Sequence, residues 1–226
     1  MIVSDANDRL VQALSADLTP VRRLAPPSLR VLSWLAIVGV GAVALAMVSD
    51  VDSMISRLTA TPDMLLAATG CLLTTVLAAV AAFQLSLPDR KAAWALLPLP
   101  ALVVWIGASG MGCLRSWPAA ATHPVTFGDS EHCLIFILGV SLPLWLLLIA
   151  MQRRGYPMRP NLTAMIGGLA CASAAATLLN FFHPYDASAS DLAVHALAIA
   201  TVILVNSLFG GRVLMSNKHR VEPIAS

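Results

Sequence analysis

Residues Met64–Leu87 read MLLAATGCLLTTVLAAVAAFQLSL and contain no Asp, Glu, Lys or Arg. A helix needs about 20 apolar residues to cross a hydrocarbon core ~30 Å thick, so this run is long enough to span a bilayer. Five further windows share its character: Val31–Val48, Ala92–Met111, Cys133–Met151, Leu162–Phe182 and Leu192–Gly211 also lack all four charged residue types. Of the 226 residues, 58% are hydrophobic and 12% charged, roughly half the charge of an ordinary soluble domain. Lipid offers the backbone no hydrogen-bond partners, so apolar runs of this length satisfy their amides internally as helices. The expected fold class is an all-α membrane protein, a six-transmembrane-helix bundle.

Orientation follows from where the cations fall. Of fourteen Lys and Arg, twelve lie in the N-terminal segment (Arg9, Arg22, Arg23, Arg30), the second connector (Arg90, Lys91), the fourth (Arg153, Arg154, Arg159) and the C-terminal segment (Arg212, Lys218, Arg220). The alternate connectors hold only Arg57 and Arg115. Both termini are therefore expected in the cytoplasm. Residues 1–30 then form a cytoplasmic head, 31–211 the membrane domain with external loops 49–63, 112–132 and 183–191, and 212–226 a cytoplasmic tail. The net charge of +2 reflects this asymmetry and argues against direct nucleic-acid binding. The first run is expected to stay as a span, since thirty residues precede it, although Ala42-Val43-Ala44-Leu45-Ala46 resembles a signal cleavage site.

In the head, Ser4 with Asn7 or Asp8 can cap a short helix on which Leu10, Val11, Leu14 and Leu18 recur at helical spacing. Arg9, Asp17, Arg22 and Arg23 fall on or beside its polar face. Pro20 should end this helix near Asp17 or Leu18, with Pro26-Pro27 an extended spacer. Two readings stand: a helix lying on anionic lipid, or an amphipathic segment offered to a protein partner. Connector 49–63, with three aspartates and one arginine, reads as a solvated link. Cys71, Thr74, Thr75 and Cys171 read as packed residues inside spans, the threonines bonding back to their own helix. Pro98, Pro100 and Pro143 should kink the two spans that flank the central connector.

That connector, Gly112–Cys133 (GCLRSWPAAATHPVTFGDSEHC), is the longest polar interruption of the chain. Cys113, Cys133, His183 and His195 come from distant places yet fall at similar membrane depth. Three readings of them remain open. A Cys113–Cys133 disulfide suits an oxidising periplasm and would stabilise by roughly 3 kcal/mol through loop entropy. A thiol–disulfide switch uses the same atoms. A thiolate–imidazole site, with Cys133 and His183 as ligands, suits soft or borderline metals such as zinc or cadmium. His195 alternatively packs as a neutral ring bonded near Asn180. The spacing fits no compact zinc motif, and CxxC, HExxH, a phosphate loop and a nucleophile elbow are all missing. No enzyme is expected.

The head segment LSADLTPVRRLAPPSLR (Leu14–Arg30), CLRSWP (Cys113–Pro118), Cys133-Leu134, Ser141–Pro143 and RRGYPMRP (Arg153–Pro160) occur in this order along essentially the whole chain. Together they resemble the NrsF-like negative regulators of extracytoplasmic-function sigma-F factors, six-span inner-membrane anti-sigma proteins. The resemblance implies a cytoplasmic face that holds a sigma factor inactive; the helical stripe and polar face of the head then make Leu10, Leu14, Asp17, Leu18, Arg22 and Arg23 the expected binding residues. It also implies external cysteines that sense heavy-metal or oxidative stress. The chain departs from the family at one point. The usual HCPE-like run after span 5 is Phe182-His183-Pro184 here, so His183 replaces a cysteine, while His195 keeps the histidine twelve residues on. A disulfide to that second cysteine therefore cannot form. Rival readings are a membrane thiol–disulfide oxidoreductase, opposed by the missing CxxC, and a small-solute or metal transporter, opposed by sparse intramembrane charge.

Overall fold

A computed structural model describes residues 2–16, 24–120, 127–155, 157–181 and 189–215; for 2–4, 6, 113, 115–120, 127–133 and 189–195 it describes the backbone alone. There is no strand among the described residues, and six helices are long and apolar enough to cross a membrane.

Helix α1 spans Ile2–Ala16. It begins before Ser4, so the expected cap lies inside the first turn, and Asp17 and Leu18, where Pro20 was expected to end it, lie outside the described residues. Helix α2 spans Pro27–Ala46. Pro26 is extended (φ −56°, ψ 149°), but Pro27 opens the helix as its first residue, where a missing N–H costs nothing. The expected Pro-Pro spacer is thus one residue of spacer and one of helix, and Arg30 belongs to the bundle. Pro62 and Pro160 open α4 (Pro62–Leu85) and α7 (Pro160–Leu179) in the same way.

Connector 49–63 is more ordered than a solvated link, because it folds into helix α3, Val51–Ala60. Asp50 caps it: the carboxylate accepts from the Ser53 amide at 3.1 Å and from the Ser53 hydroxyl at 2.6 Å. Val51, Met54 and Leu58 form a half-buried stripe, and α3 packs on α4. After α4, a 3₁₀ turn (Ala92–Leu96) leads into α5, Leu99–Ala120. Pro98 precedes α5 and Pro100 is its second residue, so within the apolar span Ala92–Gly112 both lie where the 3₁₀ turn gives way to α-helix. Pro143 does lie inside a helix, α6 (Phe127–Gln152), and removes one rung of its backbone ladder. Residues 112–132 are likewise not one long loop, since α5 runs on to Ala120 and α6 starts at Phe127. A 3₁₀ turn (Arg153–Gly155) follows α6. Helix α8 (Ala189–Val205) passes through a π-helical turn (Asn206–Gly210) into α9 (Gly211–Met215).

Helix α7 is the centre of the bundle, with 78% of its apolar window buried against α4, α6 and α8. Its run of Gly, Ala and Ser lets neighbours approach closely, the usual basis of helix association in lipid. A Cβ on Gly168 would lie 2.8 Å from the Asn206 amide nitrogen, and one on Gly167 would lie 2.7 Å from Leu148. Trp34, Phe83, Leu148, Ile166 and Leu169 fill the core around it. Outward-facing Leu32, Val40, Leu73, Val103, Leu142 and Leu204 are all more than half exposed. Such a belt suits lipid and would not persist in water.

The interhelical contacts fix which helix ends lie together. At one end of the bundle, Arg30 of α2 reaches Ser86 after α4 and Met151 of α6. There also, Thr163 of α7 donates to the Leu85 carbonyl at 3.1 Å, and Gly211 abuts Asn161. Toward the other end, Arg57 of α3 donates to the Asn180 carbonyl that follows α7, at 3.5 Å. The spans therefore alternate in direction, and the first and last begin and finish at the same end.

Candidate functional site

Two regions were expected to carry function, the head and the Cys/His set. In α1 every side chain described is exposed, including Leu10 (58%), Val11 and Leu14 (64%). Leu10 and Leu14 are one turn apart and share a stripe with Val11. An amphipathic helix of 15 residues is marginal by itself, and among the described residues no part of the bundle covers its apolar face. Asp17, Leu18, Arg22 and Arg23 lie outside the described residues.

Of the Cys/His set, Cys113 sits in the C-terminal half of α5, and Cys133 and His195 sit within the first two turns of α6 and α8. Their side chains, and all of His183, lie outside the described residues. Among the described residues there is no cluster of three His, Cys, Asp or Glu. Cys71 and Cys171 are buried and free. Cys71 Sγ lies 3.3 Å from both the Ser173 carbonyl and the Thr177 hydroxyl. Thr74 and Thr75 bond back to the Gly70 and Cys71 carbonyls, at 2.7 and 3.1 Å. These four residues are packing, as their positions inside spans suggest.

Sequence reasoning counted Arg30 only as one more cytoplasmic charge. It is 6% exposed. Its guanidinium donates to Ser86 Oγ at 3.4 Å and to the Met151 carbonyl, and lies 5.1 Å from the centroid of the Phe83 ring. Ser86 Oγ donates its own proton to the Phe83 carbonyl at 2.7 Å, which leaves its lone pairs to receive Arg30. One turn further along α2, the buried Trp34 donates Nε1–H to the Leu144 carbonyl at 3.2 Å. Two buried donors on α2 thus hold two carbonyls of α6. Gly155 closes the cluster, since a Cβ there would lie 2.4 Å from the Ser86 carbonyl oxygen. The available signal was position: a lone arginine one turn after Pro-Pro, at the edge of an apolar run, needs buried partners.

Residues 14–215 match the family model for NrsF, negative regulator of sigma F. The chain belongs to this family. Its members are regulators, and negative regulation of sigma F implies a sigma factor as partner. The NrsF match takes in Leu14, Asp17, Leu18, Arg22, Arg23 and Arg30 but begins after Leu10. No curated protein and no solved structure matches the chain.

Proposed function

We propose that this NrsF protein is an anti-sigma factor of the bacterial inner membrane. Its cytoplasmic head, residues 1–26 ahead of α2, sequesters an extracytoplasmic-function sigma factor. Its external Cys113, Cys133, His183 and His195 sense metal or oxidative stress and bring about release. The observation that carries this reading is the bare apolar face of α1, immediately before a six-helix bundle, in a chain whose family acts on sigma F. Orientation rests on the twelve-to-two bias of Lys and Arg. For the sensor, the thiolate of Cys133 and the imidazole of His183 suit zinc or cadmium, and Cys113 with Cys133 suits redox exchange.

The test uses the full-length protein. Buried apolar anchors in a helix-in-groove interface are worth about 2 kcal/mol or more each. Leu10→Ala with Leu14→Ala should therefore release the sigma factor during co-purification and switch on its promoters without stress, at normal membrane abundance. Charge-reversal of Arg9 alone should do far less. Full repression by a correctly inserted double variant would return α1 to the role of a lipid-surface helix.

A further inference from the structure

A charged group inside a membrane bundle is costly unless paired, and Arg30 is paired with two different helices at once. Through Ser86 and the Phe83 ring it grips the end of α4, and through the Met151 carbonyl it grips the end of α6. Pro26 and Pro27, which set the direction in which the chain leaves for the head, lie within one turn of it. Proline fixes φ, so this short piece between Arg30 and the extended Pro26 has little freedom to absorb a displacement. Helix α6 is a single helix from Phe127 to Gln152 and carries Cys133 near one end and Met151 near the other. At 1.5 Å per residue, those two positions are roughly 27 Å apart along one element. Trp34 on Leu144 adds a second hold between α2 and the same half of α6. Next to Met151, the fully buried Gln152 leaves both amide atoms without a hydrogen-bond partner. An unpaired buried amide is a standing cost, and a second position of this helix end would give it a chance to be satisfied.

We infer that Arg30 is a positioning residue: it ties the direction of the head segment to the position of α6, and so carries a displacement of α6 from its Cys133 end to the head. As a route of regulation this rests on the anti-sigma reading; as a mechanical joint it does not. An arginine suits the task because its planar fork donates in two directions, whereas a lysine is a point donor.

The joint is tested on full-length protein in lipid nanodiscs with spin labels on the exposed Leu24 and Met158, on the two sides of the clamp. Wild type should give one narrow distance distribution. Arg30→Met keeps the apolar volume and removes the donors, and should widen that distribution at least twofold. Arg30→Lys should fall between, and Arg154→Met, an exposed cation at the same end, should change nothing. A distribution unaltered by Arg30→Met overturns the inference. In cells, with cadmium chloride as the input, Arg30→Met at normal abundance should still retain the sigma factor but lose at least tenfold of the induced promoter output. Loss of retention together with abundance would mark a purely structural residue and sink the proposal. So would a full cadmium response from Arg30→Met. If wild type retains no sigma factor or ignores cadmium, the anti-sigma or sensing reading fails, and the distance measurement alone decides the joint.

Discussion

Close packing in this bundle depends on single atoms at a few glycines. A Cβ at Gly155 meets the Ser86 carbonyl at 2.4 Å and one at Gly70 meets the Trp105 amide at 2.8 Å, both backbone atoms that cannot swing aside. Gly155→Ala and Gly70→Ala should each destabilise by about 1–3 kcal/mol, the usual cost of overpacking. Gly39, with nothing within 4 Å of an added Cβ, should tolerate Ala or gain slightly from its better helix propensity. Thermal unfolding in detergent, run on the three variants side by side, checks the order. The cysteines divide in a similar way. Cys71 and Cys171 are 2% and 0% exposed, so a membrane-permeant maleimide should leave both unmodified until the protein is unfolded. Cys71→Ala and Cys171→Ala should keep the stress response that Cys133→Ala loses. Equal responses from all three would remove the external site as the sensor.

At the scale of elements, the helices start where proline or a cap makes starting cheap. Pro27, Pro62 and Pro160 each open a span, and Asp50 opens α3. Bonds from the Ser53 hydroxyl, then the Ser53 amide, hold the Asp50 carboxyl below its ordinary value. A depressed acid stabilises the fold above its unfolded pKa, about 3.9 for aspartate, and that contribution disappears as pH falls through the lowered folded value. Order in α3 should accordingly decline on acidification below pH ~4. A spin label on the exposed Ile55 should report rising mobility over that range in wild type, and a mobility already raised at neutral pH in Asp50→Ala. A wild-type label indifferent to acid would mean that packing of α3 on α4, not the cap, holds the helix.

For the molecule as a whole, the contacts at the Arg30 end fix that the first span begins, and the last finishes, on one side. In the proposed orientation, the twelve-to-two bias of Lys and Arg makes that side the cytoplasm. Reporters fused after Ser226 and inserted within Pro88–Lys91 should read as cytoplasmic, and one inserted near Thr122 as periplasmic. A cytoplasmic signal near Thr122 would overturn the orientation, and with it the placing of the head beside a cytoplasmic sigma factor.

The number and course of the spans were legible in sequence because burial in lipid demands long uncharged runs, and Met64–Leu87 or Cys133–Met151 meet that demand by composition alone. The bare stripe of Leu10 and Leu14 was legible for the same reason: helical periodicity is local. Less was readable where the outcome depends on neighbours far along the chain. Residues 112–120 are polar in part yet helical, since α5 continues past its apolar run. Pro98 and Pro100 were expected to kink a span, and only the structure places them at the junction of the 3₁₀ turn and α5. Locally, only its place at the edge of an apolar run sets Arg30 apart from the other cations of the N-terminal segment. Its burial required Phe83, Ser86 and Met151, which are 53, 56 and 121 residues away, to be brought to one helix end. Composition and periodicity settle which segments enter the membrane; which side chains meet there is a property of packing, and only the tertiary structure decides it.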